Sequence, residues 1–489
     1  MMVQGGQRGE ATPGEPNAIV ALLSRAARSR PTGWAVRDST RALTYPQLLE
    51  ESAEEAVRLG TAGIQQGSLV VVESTHDNDY LVSYFAALIC GANVMPCDPR
   101  AGAAEIEREI SESGVGYHLL PRKSGTLVTR RAVRQAFSPT GLDGTPLAGG
   151  VLLPTSGTGG LPKRAVHIAE RLVANATAHA DAVGLTGDDC TLLVLSPAFG
   201  YCHTSQILAH LAVGGRLAFA PRPAMPADLA AAMRVAGVTN TTLVPHLLGP
   251  ATVRAFSGIK TLRQLTMGGS ACSTDFLGGV GSELSQVEVI QTWGMTECGP
   301  RVTTWRASRD PLRPGCVGLP IADVEVSAVV GAGSDAASLG SEAGAWGELY
   351  VRTPYAMTGY LNNADPSVLV GPDLIRTGDL GKVDADGYVY VHGRIKNLID
   401  VGGQKVSAEE VESVIMALSG VGAVRVVGED VPRRGQKPVA YVVRSGCETP
   451  DAQQVISAVR ERLAPHKWLR DVVFVDELET TATGKIKRN

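Results

Sequence analysis

The stretch Val151-Leu152-Leu153-Pro154-Thr155-Ser156-Gly157-Thr158-Gly159-Gly160-Leu161-Pro162-Lys163-Arg164-Ala165-Val166-His167 decides how this chain reads. Three apolar residues form the end of a buried strand. The next six, Thr155 to Gly160, offer backbone N–H groups and hydroxyls that can crowd around an anion. Lys163 then adds a point charge, and a phosphate chain is the ligand that uses both features. The stretch therefore reads as a nucleotide phosphate clamp. It is not a Walker A loop, whose lysine follows a glycine and precedes Ser or Thr, because Pro162 precedes Lys163 here and Arg164 follows it. Alone it competes with a plain surface turn, so the rest of the chain has to decide.

At 489 residues the chain exceeds what one hydrophobic core supports, and two or more domains are expected. A net charge of -4 gives no electrostatic reason for binding nucleic acid or an acidic membrane surface. The eight cysteines are scattered without a CxxC pair or metal-ligand spacing, which reads as reduced thiols in a cytoplasmic protein. Residues 1–17, rich in Gly, Pro and Gln, read as a disordered N-terminus without a signal-peptide core. The most apolar run, Tyr80 to Met95, is interrupted by Ser83, Gly91 and Asn93 and is short for a membrane span, so it reads as a buried helix entering a strand.

Outward from the clamp, helical and strand patterns alternate, which predicts mainly parallel sheet covered by helices. The runs Thr239 to Val244, Leu262 to Met267 and Val287 to Ile290 each end in small or polar residues: Pro245-His246, Gly268-Gly269-Ser270-Ala271, and Gln291-Thr292-Trp293-Gly294-Met295-Thr296-Glu297. Open α/β sheets bind ligands at such carboxyl ends, so the three are expected to meet at one crevice. From Gly315 to Leu374 short β-like runs with Gly and Pro turns predict a barrel-like subdomain. After Lys396 a small domain begins, with Ser407 and Glu410 as a capping box for its first helix.

The order of these motifs, with Thr377-Gly378-Asp379, Gly393-Arg394 and the terminal Thr483-Gly484-Lys485-Ile486, resembles the acyl-adenylate-forming superfamily of acyl-CoA synthetases, peptide-synthetase adenylation domains and luciferases. The resemblance covers about residues 30 to 489. It implies an α/β fold with a large N-terminal domain, 18–395, of parallel-sheet subdomains plus a β-barrel-like one. A small mobile α+β lid, 396–489, follows, hinged at Lys396. It also implies ATP, magnesium and a thiol acceptor, either coenzyme A or the phosphopantetheine of an acyl carrier protein.

Residue by residue, the resemblance gives Thr155, Ser156, Gly157, Thr158 and Lys163 to the β- and γ-phosphates, Glu297 to magnesium and Thr296 to the α-phosphate. Gly269, Ser270, Gln291, Thr292 and Trp293 fall in the adenine slot, with Trp293 either stacked on the base or plain core. Asp379 and Arg394 match the ribose ligands, and Lys485 the lysine delivered to the reacting carboxylate. Two departures stand in the clamp: Gly159 replaces a usual threonine, and Arg164 replaces a glycine and adds bulk. Phe199, Tyr201, His203 and His246 are candidate acyl-pocket residues, although Gly200 occupies the place where a histidine is common and His203 reads equally as a satisfied helix-face histidine.

The chemistry explains why such a set is needed. A carboxylate must attack the α-phosphorus of ATP, and two unit charges about 4 Å apart repel by roughly 4 kcal/mol at an effective dielectric near 20. That is about a thousandfold in rate, so cations and N–H donors must surround the phosphate. The expected function is ATP-dependent activation of a small aryl or alkyl carboxylic acid to an acyl-AMP, followed by transfer to coenzyme A. Ser196 to Ile207 contains no acid to pair with an ammonium group, which disfavours an α-amino acid. The alternatives are a stand-alone enzyme loading a carrier protein, suggested by Asp400 where lysine is frequent, and an inactive nucleotide-binding scaffold, against which Lys163, Glu297, Asp379 and Lys485 together argue.

Overall fold

The computed structural model describes residues 16–131, 139–141, 144–155, 163–269, 272–330, 344–361, 365–401, 404–431, 435–445 and 449–479. Ser156, Gly157, Thr158, Ser270 and Lys485 lie outside these residues, as do 1–15 of the N-terminal stretch. Asn17 is inside the fold: its carboxamide caps the helix Ala18–Ser29 and donates to the Gly149 carbonyl.

Alternating sequence patterns give two large sheets. In a seven-stranded sheet the parallel strands Leu69–Glu73, Asn93–Cys97 and Tyr117–Leu120 alternate with helices. Helix starts follow local chemistry. Thr44 and Gln47 form a capping box for Tyr45–Thr61, and Asp77 caps Asn78–Ile89. The apolar run Tyr80 to Met95 is that second helix entering the strand Asn93–Cys97, both buried. Among the described residues no helix is long and apolar enough to cross a membrane.

The clamp stretch is a hairpin of this sheet. Val151–Pro154 pairs antiparallel with Arg164–His167, and the Thr155 N–H donates to the Lys163 carbonyl at 2.9 Å, closing the base of the loop. The chain thus returns as a strand directly after Lys163.

The second sheet has thirteen strands. Its parallel centre runs in the order Arg216–Phe219, Cys190–Leu193, Asn240–Leu243, Gln264–Met267, Glu288–Trp293, all with carboxyl ends on one side. The expected barrel-like subdomain takes a different form. Thr303–Arg306 pairs antiparallel with Glu288–Trp293, and Cys316–Pro320, Val389–Arg394, Leu374–Val383, Gly347–Arg352 and Glu325–Val329 follow in turn. These short runs grow from the edge of the central sheet, so their backbone groups are paired without closure. Among the described residues there is no closed barrel.

The three-residue turn Ile395–Asn397, which contains Lys396, leads into a separate five-stranded sheet with helices Ala408–Met416 and Ala452–Arg462. Ile399, Val411, Ile415, Val426, Val442 and Val455 form its own core.

Candidate active site

The strand Glu288–Trp293 is the spine of the site. Beyond its end a short turn, Thr296–Cys298, is closed by Gly299 at φ +104°, a conformation that favours glycine. Thr296 donates its hydroxyl to the Pro154 carbonyl at 3.3 Å, which ties this turn to the clamp hairpin. Glu297 is 7% exposed, and its Oε1 accepts from the Tyr360 hydroxyl at 2.5 Å. Burial and the adjacent Glu297 charge push the Tyr360 phenol far above its ordinary range, so it stays protonated as a donor. Lys163 Nζ lies 5.3 Å from the centre of the Tyr360 ring and pairs with Asp365 Oδ2 at 2.7 Å. Tyr360 therefore joins the clamp lysine to the carboxylate of the Thr296-Glu297 turn.

A second cluster forms where Leu374–Val383 pairs with Val389–Arg394 and brings Asp379 opposite Arg394. Arg394 Nε meets Asp379 Oδ1 at 2.8 Å, and its Nη1 donates to the Thr377 carbonyl at 2.9 Å. Trp293 Nε1 donates to Asp379 Oδ2 at 3.2 Å. That bond makes Trp293 a brace for the aspartate, set among the apolar side chains of the antiparallel limb. Lys396 faces the same region: burial and the cations of Arg394 and Lys163 hold its ammonium below the usual range.

The third cluster lies at the ends of Gln264–Met267 and Glu288–Trp293. Gly269 has φ +79°, and a Cβ on Gly268 would collide with the Tyr201 phenol, so Tyr201 needs glycine there. The Tyr201 hydroxyl bonds Thr292 Oγ1 at 2.8 Å. Gln291 and Thr292 are buried, and the guanidinium of Arg301 lies against both Thr292 and Tyr201.

Not every candidate joins these clusters. His203 is buried within the helical stretch 200–213, with Nε2 on the Tyr84 hydroxyl at 2.7 Å, and burial pulls its imidazole down to about 3. It is a satisfied neutral core group. Phe199 is half-buried at the start of that stretch, and His246 lies in the short turn Pro245–Leu247. Arg164 does not crowd the clamp. It is 4% exposed, reaches Glu109 Oε1 at 2.5 Å and donates to the Pro96 carbonyl at 2.7 Å.

Tyr360 and Asp365 were invisible in the sequence, because Tyr360 lies 63 residues from Glu297, and Asp365 lies 202 from Lys163. For Arg301 the one available signal was the residue itself, a charge among the apolar and small residues that follow Glu297.

A magnesium ion fits this arrangement. Mg2+ keeps several waters and binds through one or two carboxylates together with substrate phosphates. A single buried carboxylate, Glu297, beside the clamp suits that mode. Among the described residues no group of three His, Cys, Asp or Glu could hold an ion unaided.

Residues 23–361 match the family described as AMP-binding enzyme, and residues 410–485 match the AMP-binding enzyme C-terminal domain. The chain belongs to the AMP-binding enzyme family. Among relatives of this AMP-binding enzyme, feruloyl-CoA synthase of Amycolatopsis sp is 28% identical, over 94% of this chain and 96% of that one. The fatty acid–[acyl-carrier-protein] ligase ScoC of Streptomyces coeruleorubidus is 29% identical, over 96% and 95%. The solved anthranilate CoA ligase AuaEII, in complex with anthranoyl-AMP, superposes with a TM-score of 0.82 at 22% identity, covering 97% of this chain and 96% of that one. This AMP-binding enzyme is an ATP-dependent, AMP-forming acid–thiol ligase.

Proposed function

We propose that the chain activates a small aryl or alkyl carboxylic acid and transfers it to coenzyme A in the cytoplasm. The observation that carries the site assignment is the Lys163, Tyr360, Glu297 cluster, which sets a phosphate-binding cation beside a hard oxygen ligand.

In the first step a carboxylate oxygen attacks the α-phosphorus and the bond to pyrophosphate breaks, giving acyl-AMP. Thr155, Ser156, Gly157, Thr158 and Lys163 hold the β- and γ-phosphates, and Lys163 exchanges Asp365 for them. Glu297 is the carboxylate that would hold magnesium, which when bound neutralises charge on the departing pyrophosphate. Thr296 stands by the α-phosphate, and Lys485 meets the reacting oxygens. Asp379 accepts from the ribose hydroxyls while Arg394 and Trp293 keep it in place. Gly269, Ser270, Gln291 and Thr292 border the adenine. In the second step the thiol sulfur attacks the acyl carbon, AMP leaves and the thiol proton passes to solvent. The small domain turns about Lys396 between the steps.

A carrier-protein thiol is the second reading. It is favoured by the ScoC relative and by Asp400 in the small-domain segment that follows Lys396. The test is pyrophosphate release with ATP and magnesium against aryl, short-chain and medium-chain acids, with and without coenzyme A or a phosphopantetheinylated carrier. Acid-dependent release and a CoA thioester are expected. Release without a CoA thioester but with a loaded carrier would move the assignment to the second reading, and absence of both release and ATP binding would end it.

A further inference from the structure

Arg301 lies just past the turn Thr296–Cys298, and its backbone is clamped by one side chain. Asn175 Oδ1 accepts from the Arg301 N–H at 3.1 Å, and Asn175 Nδ2 donates to its carbonyl at 2.9 Å. Nη1 donates to Thr292 Oγ1 at 2.8 Å, and the guanidinium carbon lies 3.8 Å from the Tyr201 ring centre. Nε has no hydrogen-bond partner, and no carboxylate pairs with the guanidinium among the described residues.

The fold supplies its own control. Arg164 and Arg301 are each 4% exposed. Burial depresses both, but Glu109 beside Arg164 outweighs it and raises that guanidinium above its ordinary value. For Arg301 burial prevails over Tyr201, and the value falls to about 10, so it is still a cation at neutral pH. A tyrosine face and one hydroxyl return less than the removal of a guanidinium from water takes. Folding alone does not account for this charge, and a ligand bringing an anion does.

Its position says which ligand. Neighbouring residues of a strand point to opposite faces. Trp293 points to Asp379 and Arg394, and Thr292 points to Tyr201 and Arg301. The guanidinium therefore lies across the strand from the Asp379 cluster, against Tyr201, which the family resemblance places among the acyl-pocket candidates. We propose that Arg301 receives a second ionised acidic group of the substrate, so that this enzyme prefers carboxylic acids bearing two anionic groups, one activated at the α-phosphate and the other held by the guanidinium. Tyr201 and Thr292 orient it. The proposal rests on the acid-activating reaction given above.

The test uses non-hydrolysable acyl-sulfamoyl adenosines in matched pairs: succinyl against butyryl, glutaryl against pentanoyl, 2-carboxybenzoyl against 2-methylbenzoyl. All share the nucleotide half, and binding is read by calorimetry. For at least one pair the carboxylate member should bind the wild-type chain about tenfold tighter or more, as one charge-assisted hydrogen bond gives. In Arg301→Met that preference should close to about twofold, and Arg301→Lys should restore part of it. Neutral members binding as tightly or tighter in every pair, or a preference that persists in Arg301→Met, overturns the assignment. If no member of any pair binds and no acid releases pyrophosphate, the reaction itself is wrong and the assignment falls with it.

Discussion

On one face of the strand Glu288–Trp293, Trp293 leads to Asp379, whose carboxylate meets Arg394 at 2.8 Å. On the other, Thr292 leads to Arg301, equally enclosed but with no carboxylate partner among the described residues. Beyond the strand the nucleotide groups are also matched: Lys163 with Asp365, Glu297 with the Tyr360 hydroxyl. In the proposed reading internal partners hold these groups in place before a nucleotide arrives, and binding exchanges one partner for another at little net cost in desolvation. In the same proposed reading the acid side keeps its charge for the ligand. The difference separates what serves any ATP-dependent acid activation from what selects the acid.

Changes on the nucleotide side should therefore affect every acid alike. The largest effect is expected from Glu297→Gln, which removes the proposed metal carboxylate and should slow pyrophosphate release roughly a hundredfold or more, as loss of several kcal/mol of charge stabilisation requires. A rate that falls for one acid and not another would break the contrast. Next is the pair of buried arginines. Glu109→Gln strands the Arg164 charge and should lower unfolding free energy by about 3–5 kcal/mol, measured by urea denaturation. Asp379→Ala should raise the KM for ATP about 10- to 100-fold, since charged hydrogen bonds are worth about 1.5–3 kcal/mol, and leave the KM for the acid unchanged.

Tyr360→Phe should cost roughly fivefold in kcat, about 1 kcal/mol for one bond to Glu297, and equal losses across acids would support the shared role of this side. The smallest effect sharpens the contrast most. Arg301→Met replaces an unpaired buried cation by an apolar chain and should leave the ligand-free melting temperature within a few degrees of the wild type or raise it. A large drop would mean that Arg301 is paired after all.

Much of the fold was legible in the sequence because it rests on local rules. Ser407 caps the helix it precedes, and the apolar runs ending at Met267 and Ile290 fall in neighbouring parallel strands. The barrel-like expectation failed because Gly-rich short runs state that β pairing occurs but not with which edge. Here the edge of Glu288–Trp293 was free to accept Thr303–Arg306. His203 illustrates a further limit, since a histidine near an expected pocket reads the same whether it faces ligand or, as here, Tyr84 in the core.

The sequence by itself determined the motif order, the strand that leads into the clamp stretch and, through the family resemblance that this order carries, the candidates Lys163, Glu297, Asp379 and Arg394. Only the tertiary structure decided which charges have partners. Arg164 looked like bulk in a phosphate loop, yet it turns to Glu109 on another element, and Arg301 looked like one arginine among many, yet it is buried against Tyr201 with no carboxylate partner among the described residues. The free energy of a charge depends on the solvent it has lost and the opposite charges within a few ångströms, and both are set by segments far apart in the chain.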